Sequence, residues 1–222
     1  MRRIAFPLML GFGGVAVLLS LGFWQLQRLE WKEAMLSGIA SRLNEAPVSL
    51  PERPDQAADQ YLAVTASGTF GDGVLRVLSG QKYVGSGYRV ISPFTVGTRT
   101  ILVDRGFIAT ETAIPAAPAG NVEVTGNLLW PVEADSFTPA PDLKANIWFA
   151  RDVPAMAAEL GTEPVMIVLR DGPPDGAIAP APVTTEGIPN DHREYAITWF
   201  SLAAVWLGMT AFLLWRIRQR MI

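Results

Sequence analysis

The sequence predicts an α+β membrane protein. A hairpin of two transmembrane helices, N and C termini cytoplasmic, brackets a β-rich extracytoplasmic domain that is barrel- or sandwich-like and carries one short helix. Three observations predict this. Charge-free runs at 4–27 and 195–215 are each long enough, at about 1.5 Å of rise per residue, to cross a hydrocarbon core of about 30 Å. Between them the apolar residues take up the two-residue period of strands. The charges are also segregated: five arginines and no acid at the two ends, against 13 bases and all 21 acids from Arg28 to Glu194, a net −8.

The first run follows Arg2 and Arg3 and reads FPLMLGFGGVAVLLSLGFWQLQ in its main part. It is too long for the apolar region of a signal peptide. Trp24-Gln25-Leu26 stands where a small-residue cleavage site would be needed, so residues 4–27 are expected to stay as a transmembrane helix. Pro7 falls in its first turns, where a missing N–H costs little. Arg2, Arg3 and the tail arginines Arg216, Arg218 and Arg220 put both termini on the cytoplasmic side. Arg28 and Lys32 oppose this, but short basic flanks outweigh a long translocated middle.

The helix should continue amphipathically over 28–45, because Leu29, Leu36, Ile39 and Leu43 share one face. Trp24 and Trp31 suit the headgroup level. Pro47, Pro51 and Pro54 end the helix and make 46–60 a linker.

Residues 61–171 form the β-rich domain. Strands are expected at 62–70, 75–79, 88–96, 100–107, 122–130, 146–151 and 165–170, all rich in β-branched and aromatic residues. Turn residues separate several of them: Gly71-Asp72-Gly73, Gly85-Ser86-Gly87 and Gly97-Thr98-Arg99, the last a hairpin. Pro93 marks an edge or a bulge. A short helix follows Asp152 as N-cap, buries Val153, Met156, Ala157 and Leu160, and ends at Gly161. Residues 115–120 read as a loop and 172–189 as a Pro/Ala/Gly-rich linker.

The second transmembrane helix is expected over 190–215, with 216–222 as a basic cytoplasmic tail. Asn190 and Asp191 are good N-caps, and Glu194 completes a D-x-x-E variant of the capping box. Ala204 with Gly208, and Ala16 with Ser20 in the first run, form small-xxx-small pairs that would let the two helices approach closely.

Composition excludes several chemistries. There is no cysteine, hence no disulfide, thiolate metal site, Cys nucleophile or C-x-x-C-H haem attachment, and a single histidine rules out a multi-histidine metal site. The acidic middle has no basic stripe for nucleic acid. Neither G-x-S-x-G nor a phosphate loop occurs. Asp104-Arg105-Gly106 reads as a local salt bridge ahead of a glycine turn, and a catalytic role for it is the remote alternative.

His192 is singled out by position. On a helix starting near Asp191 it shares a face with Tyr195, Ala196, Trp199 and Ala203. It reads first as a polar residue at a helix start. The same face would also accept a flat amphiphile such as haem: imidazole can ligate its iron, and Arg193 and Arg28 lie at the depth of its propionates.

Four motifs in order, GFWQLQRLEWK (22–32), SGTF (67–70), LVDRGFI (102–108) and NDHREYAITWFSLA (190–203), resemble the Surfeit locus protein 1 family of cytochrome c oxidase assembly factors. The two-helix architecture around a β domain agrees, so the resemblance spans nearly the whole chain. The family's V-N-R-G-W reads here Val103-Asp104-Arg105-Gly106-Phe107, which puts any role of that tryptophan ring in doubt. With no mitochondrial presequence ahead of the first run, a bacterial plasma-membrane member with a periplasmic domain is implied. The resemblance implies a non-enzymatic role: binding haem a and assisting its insertion into the catalytic subunit of an aa3-type haem-copper oxidase, with the enzymes of haem a synthesis as further partners. His192 is then the axial ligand of the haem iron, with Trp24, Arg28, Arg193, Tyr195 and Trp199 as the surrounding candidates. The alternative is a haem-free scaffold that stabilises the oxidase subunit during assembly.

Overall fold

The computed structural model describes residues 2–81 and 84–219. Arg220 lies outside them, as do the side chains of Arg2 and Arg3. In chain order the elements are α1 (Arg2–Leu43), β1 (Val48–Ser49), α2 (Gln56–Asp59), β2 (Ala63–Phe70), β3 (Leu75–Gln81), β4 (Gly85–Val96), β5 (Arg99–Ala109), β6 (Val122–Leu128), β7 (Ile147–Trp148), α3 (Val153–Leu160), β8 (Met166–Asp171) and α4 (His192–Gln219). Two compact units result: a helix pair, residues 1–38 with 185–222, and a β domain, residues 39–184.

In the helix pair, α1 and α4 are both long and apolar enough to cross a membrane; at about 1.5 Å per residue they span roughly 63 and 42 Å. They pack antiparallel. A β-carbon added at Gly11 would meet Thr210, one at Gly14 would meet the Trp206 indole, and one at Gly22 would meet Phe200. Phe23 stacks edge-on to Phe200 at 5.4 Å. The α1 positions 11, 14, 18, 22 and 25 follow the helical repeat of one face, and all are buried or half-buried. The expected small-xxx-small pairs do not make this contact. Ala16, Ser20 and Ala204 are exposed, and nothing approaches Gly208. Close approach is set by which face carries small residues, and here that face holds Gly11 opposite Thr210 and Gly14 and Gly22 opposite aromatic rings.

The β domain begins in the last turn of α1. The terminal carbonyl of Leu43, left free by the helix end, accepts hydrogen bonds from Asn127 Nδ2 (3.2 Å) and Arg170 Nη1 (3.0 Å). The 46–60 stretch, expected as bare linker, contains β1, paired parallel to β2, and α2, where Asp55 Oδ1 accepts from Ala58 N–H (3.0 Å).

All eight strands belong to one sheet, in the order β1-β2-β6-β8-β5-β4-β3-β7. The end of β2 also pairs with β4 through Thr69–Thr95 and Phe70–Phe94, so the run β2-β6-β8-β5-β4 returns to β2. The β4–β5 hairpin turns at Gly97-Thr98 as expected. Pro93 has a clear reason for its place. β4 pairs with β3 as far as Ile91 and with β2 only from Phe94, so its missing N–H falls where β4 changes partner, just past a bulge at Val90–Ile91. The strand expected over 146–151 shrinks to Ile147–Trp148. Asn146 adopts φ 51°, off the strand path, and its amide donates to Val74 O (2.7 Å).

The sheet is apolar on both faces. Val64, Ala66, Phe94, Ile101, Val103, Val124, Ile167 and Leu169 form one cluster. Leu102, Met166 and Val168, one residue out of phase along β5 and β8, pack with Trp148 and the Val153, Met156 and Ala157 face of α3 in the other. The α3 helix is capped as expected: Asp152 Oδ1 accepts from Ala155 N–H (3.1 Å), and Gly161 takes the left-handed conformation at φ 65°.

Candidate functional site

His192 opens α4, and the Tyr195 N–H donates to Asp191 O at 3.1 Å. Neither Asn190 nor Asp191 makes a side-chain capping bond among the described residues, and Asn190 Oδ1 is buried without a partner. Across the helix pair, His192 Nδ1 lies 2.7 Å from Gln25 Oε1. Gln25 is only 8% exposed, an uncommon state for an uncharged amide on an apolar helix unless it is hydrogen-bonded. Ala196 and Ala203, on the same face of α4 as His192, are also buried.

None of the remaining expected residues joins this contact through a hydrogen bond or ion pair among the described residues. Tyr195 is 56% and Trp24 50% exposed; Trp199 is half-buried and Arg193 exposed. Arg28 is exposed, with its guanidinium carbon 5.0 Å from the centre of the Trp31 ring. The expected face of α4 therefore divides: His192, Ala196 and Ala203 turn inward, and Tyr195 turns out. Gln25 was not among the candidates. Its signal was present in the sequence, as the polar member of the 11, 14, 18, 22, 25 series. An apolar cleft of about 410 Å³ lined by Phe6, Leu10, Trp206 and Met209 lies near the opposite ends of the two helices.

The LVDRGF motif of β5 carries the two charged residues that are buried among the described residues, Asp104 and Arg105. Asp104 and Arg105 do not pair with each other, contrary to the expected local salt bridge, because neighbouring strand residues point to opposite faces. Fully buried Asp104 takes Arg89 Nε at 2.6 Å and Arg151 Nη1 at 3.4 Å. Its Oδ1 accepts from Gly106 N–H at 3.2 Å. Arg151 also grips Glu133, with Nε donating at 3.0 and 3.1 Å. Burial pushes the Glu133 carboxyl up, but the Arg151 hydrogen bonds and charge outweigh it and hold the group below its ordinary value. Arg105, 2% exposed, donates to both oxygens of Asp175 at 2.7 and 2.5 Å.

Gly106 sits within β5, where a turn was expected, at φ 131°. A β-carbon there would stand 2.2 Å from Ala179 O. Phe107 and Ala179 exchange backbone hydrogen bonds at 2.8 and 2.9 Å. The 172–189 segment is thus strapped across β5 through Asp175 and Ala179, and Arg89 adds a bond to Ala181 O at 2.7 Å. Every partner in this network is supplied from within the domain, which is the arrangement of a structural clasp.

Fold and site together define a class: a β domain flanked in sequence by two antiparallel apolar helices, with a lone imidazole where those helices meet. Residues 13–204 match the model of the SURF1 family. The chain is 32% identical over 225 residues to a SURF1-like protein of Drosophila melanogaster, covering 90% of this chain and 74% of that one. A SURF1-like protein of Rickettsia felis is 32% identical over 199 residues, 84% of this chain and 87% of the relative. Surfeit locus protein 1 of Gallus gallus is 30% identical over 222 residues, at 88% and 70% coverage. The chain belongs to the SURF1 family. The matched region takes in Gln25, the β5 motif and His192.

Proposed function

We propose that this protein is an assembly factor for an aa3-type haem-copper cytochrome c oxidase, taking haem a as cargo and assisting its insertion into the catalytic subunit. The observation that carries the reading is the position of His192. The chain's one imidazole stands at the start of an apolar helix, its Nδ1 held by Gln25 and its other ring nitrogen outside that contact. That donor set fits a porphyrin iron, which takes a neutral imidazole as axial ligand. The exposed rings of Tyr195 and Trp24 and half-buried Trp199 offer flat apolar surface on the same two helices. Arg28 and Arg193 are not engaged by any acid among the described residues, which leaves them for propionates. No bond need be made or broken, so the role is that of a chaperone and not of an enzyme.

In this reading α1 and α4 span the plasma membrane of a bacterium. Antiparallel packing brings Gly11 to Thr210, so the arginine-bearing flanks share one side, the cytoplasm by the positive-inside rule. The β domain is then periplasmic, and the partners are the oxidase catalytic subunit and the enzymes that supply haem a.

The test is the visible spectrum of the full chain purified from cells that make haem a. Wild type should carry the haem, and His192→Ala should lose it or change its iron ligation. A wild-type protein without haem that still co-purifies with the oxidase subunit, with His192→Ala fully active, would establish the haem-free scaffold instead.

A further inference from the structure

The 2.7 Å contact between His192 Nδ1 and Gln25 Oε1 has a chemical direction. With the Gln25 amide oxygen turned to the ring, the imidazole is the donor and Nδ1 carries the proton, since a carbonyl oxygen has no hydrogen to donate. A neutral imidazole holds only one ring proton, which leaves the Nε2 lone pair bare. Nε2 has no hydrogen-bond partner among the described residues and is not among the atoms buried without one, so it remains accessible. Gln25 cannot easily turn away, because the residue is buried on the packed face of α1, one turn beyond Gly22, which is pressed against Phe200.

We propose that Gln25 is a positioning residue that fixes His192 as the Nδ1–H tautomer and presents Nε2 as the ligating nitrogen. Metal-binding histidines commonly donate their second ring N–H to a carbonyl or carboxylate, which holds the tautomer and the ring orientation. Here the acceptor comes from the other helix of the pair, so correct presentation of the ligand requires α1 and α4 to be docked. A protein whose helices separate would present a freely rotating imidazole and a weaker site. The tautomer follows from the Gln25 amide oxygen facing the ring; its use in ligation rests on the haem-binding reading above.

The chain has one histidine, so the tautomer can be read without resonance assignment. The full chain, labelled with ¹⁵N-histidine and held haem-free in detergent about two pH units above the ordinary imidazole value of ~6.5, shows two ring nitrogens. Wild type is expected to show protonated Nδ1 and unprotonated Nε2. Gln25→Leu should shift the population toward Nε2–H, and Gln25→Glu, which keeps an acceptor oxygen, should retain Nδ1–H. Wild type with Nε2–H predominant overturns the proposal without any variant, and so does a Gln25→Leu spectrum identical to wild type. In a second arm, haem a retention should fall about 10–100-fold in Gln25→Leu, the usual cost of losing the group that orients a ligand, and recover in Gln25→Glu. If wild type shows the expected tautomer but binds no haem, the function fails while the tautomer assignment holds. If wild type binds haem through His192 and Gln25→Leu binds it equally, the positioning role fails while the function holds.

Discussion

Replacing Asp175 with alanine should be among the most damaging single changes in the β domain. Arg105 is 2% exposed and its only carboxylate partner among the described residues is Asp175. Without it the guanidinium keeps Pro115 O at 3.3 Å, Ala116 O at 3.4 Å and Ser92 Oγ at 3.4 Å, all neutral acceptors at long range. Removing one partner of a buried ion pair costs about 3–5 kcal/mol, mostly because the other charge stays buried. At about 2–4 °C per kcal/mol for a unit near this size, the midpoint should fall by roughly 6–20 °C. Asp175→Asn keeps an acceptor oxygen and should cost less, about 1.5–3 kcal/mol. The double change Arg105→Met with Asp175→Leu removes both charges and should recover most of the loss. The assay is thermal unfolding of the full chain in detergent, followed by near-ultraviolet circular dichroism. A Tm drop under about 2 °C for Asp175→Ala, or additivity of Arg105→Met and Asp175→Ala, would refute the reasoning, since directly paired residues must couple.

Acidification should weaken the domain through Glu133 and Glu163. Burial raises the Glu133 carboxyl but Arg151 lowers it further, and the Arg99 hydrogen bond holds Glu163 below its ordinary value. Folded values below the unfolded ~4.3 mean stability that is complete above that value and lost as pH falls through the folded ones. The effect should be modest, because both side chains are more than a third exposed. Tm measured from neutral pH down to about 3 should fall less steeply in Glu133→Gln with Glu163→Gln than in wild type, and equal slopes would refute the assignment. The helix pairing can be trapped covalently, because the chain has no cysteine of its own. A β-carbon at position 11 would stand 3.1 Å from Thr210 Cβ, close to disulfide range. Gly11→Cys with Thr210→Cys should therefore cross-link on oxidation, seen as a mobility change on a non-reducing gel, while Gly13→Cys with Thr210→Cys should not, since nothing lies near Gly13.

What could be read from the sequence was whatever depends on local period. The 42-residue α1, the β4–β5 hairpin and the capped α3 follow from apolar spacing, turn residues and cap chemistry, and the α4 start at His192 follows from the end of the polar entry, without the expected side-chain cap. Pairings between distant segments were out of reach. Nothing in NDHREY reports that a glutamine 167 positions earlier will meet its imidazole, because that depends on which face of α1 packs inward. The misread small-xxx-small pairs fail for the same reason: Ala16/Ser20 and Gly11/Gly14 satisfy similar spacings on different sides of one helix. Asp104-Arg105 misled in another way. Adjacent opposite charges suggest a pair in sequence, but in a strand the pleat separates them, and each found a partner about 50 to 70 residues on, in Arg151 and Asp175.

The segments that composition marked as linkers turn out to hold the domain together, and there is a chemical reason. Proline contributes a carbonyl but no N–H, so the stretches rich in the chain's 17 prolines carry surplus acceptors that no ladder can use. Arginine is the complementary side chain, with five donors and no acceptor, and 15 of the 18 basic residues are arginine. The two meet repeatedly. Arg99 donates to Pro51 O at 2.9 Å, Arg105 to Pro115 O and Ala116 O, and Arg89 to Ala181 O. Arg76 likewise donates to Ala145 O and Asn146 O, irregular backbone outside the proline-rich stretches. Three of these arginines also hold a carboxylate, Glu163, Asp175 or Asp104, so one planar fork joins a charged partner to an irregular strand of backbone. Lysine offers donors at a single point and could not span both. Guanidinium groups thus tie proline-rich straps to the interior strands β4 and β5, adding to what the strand ladder holds.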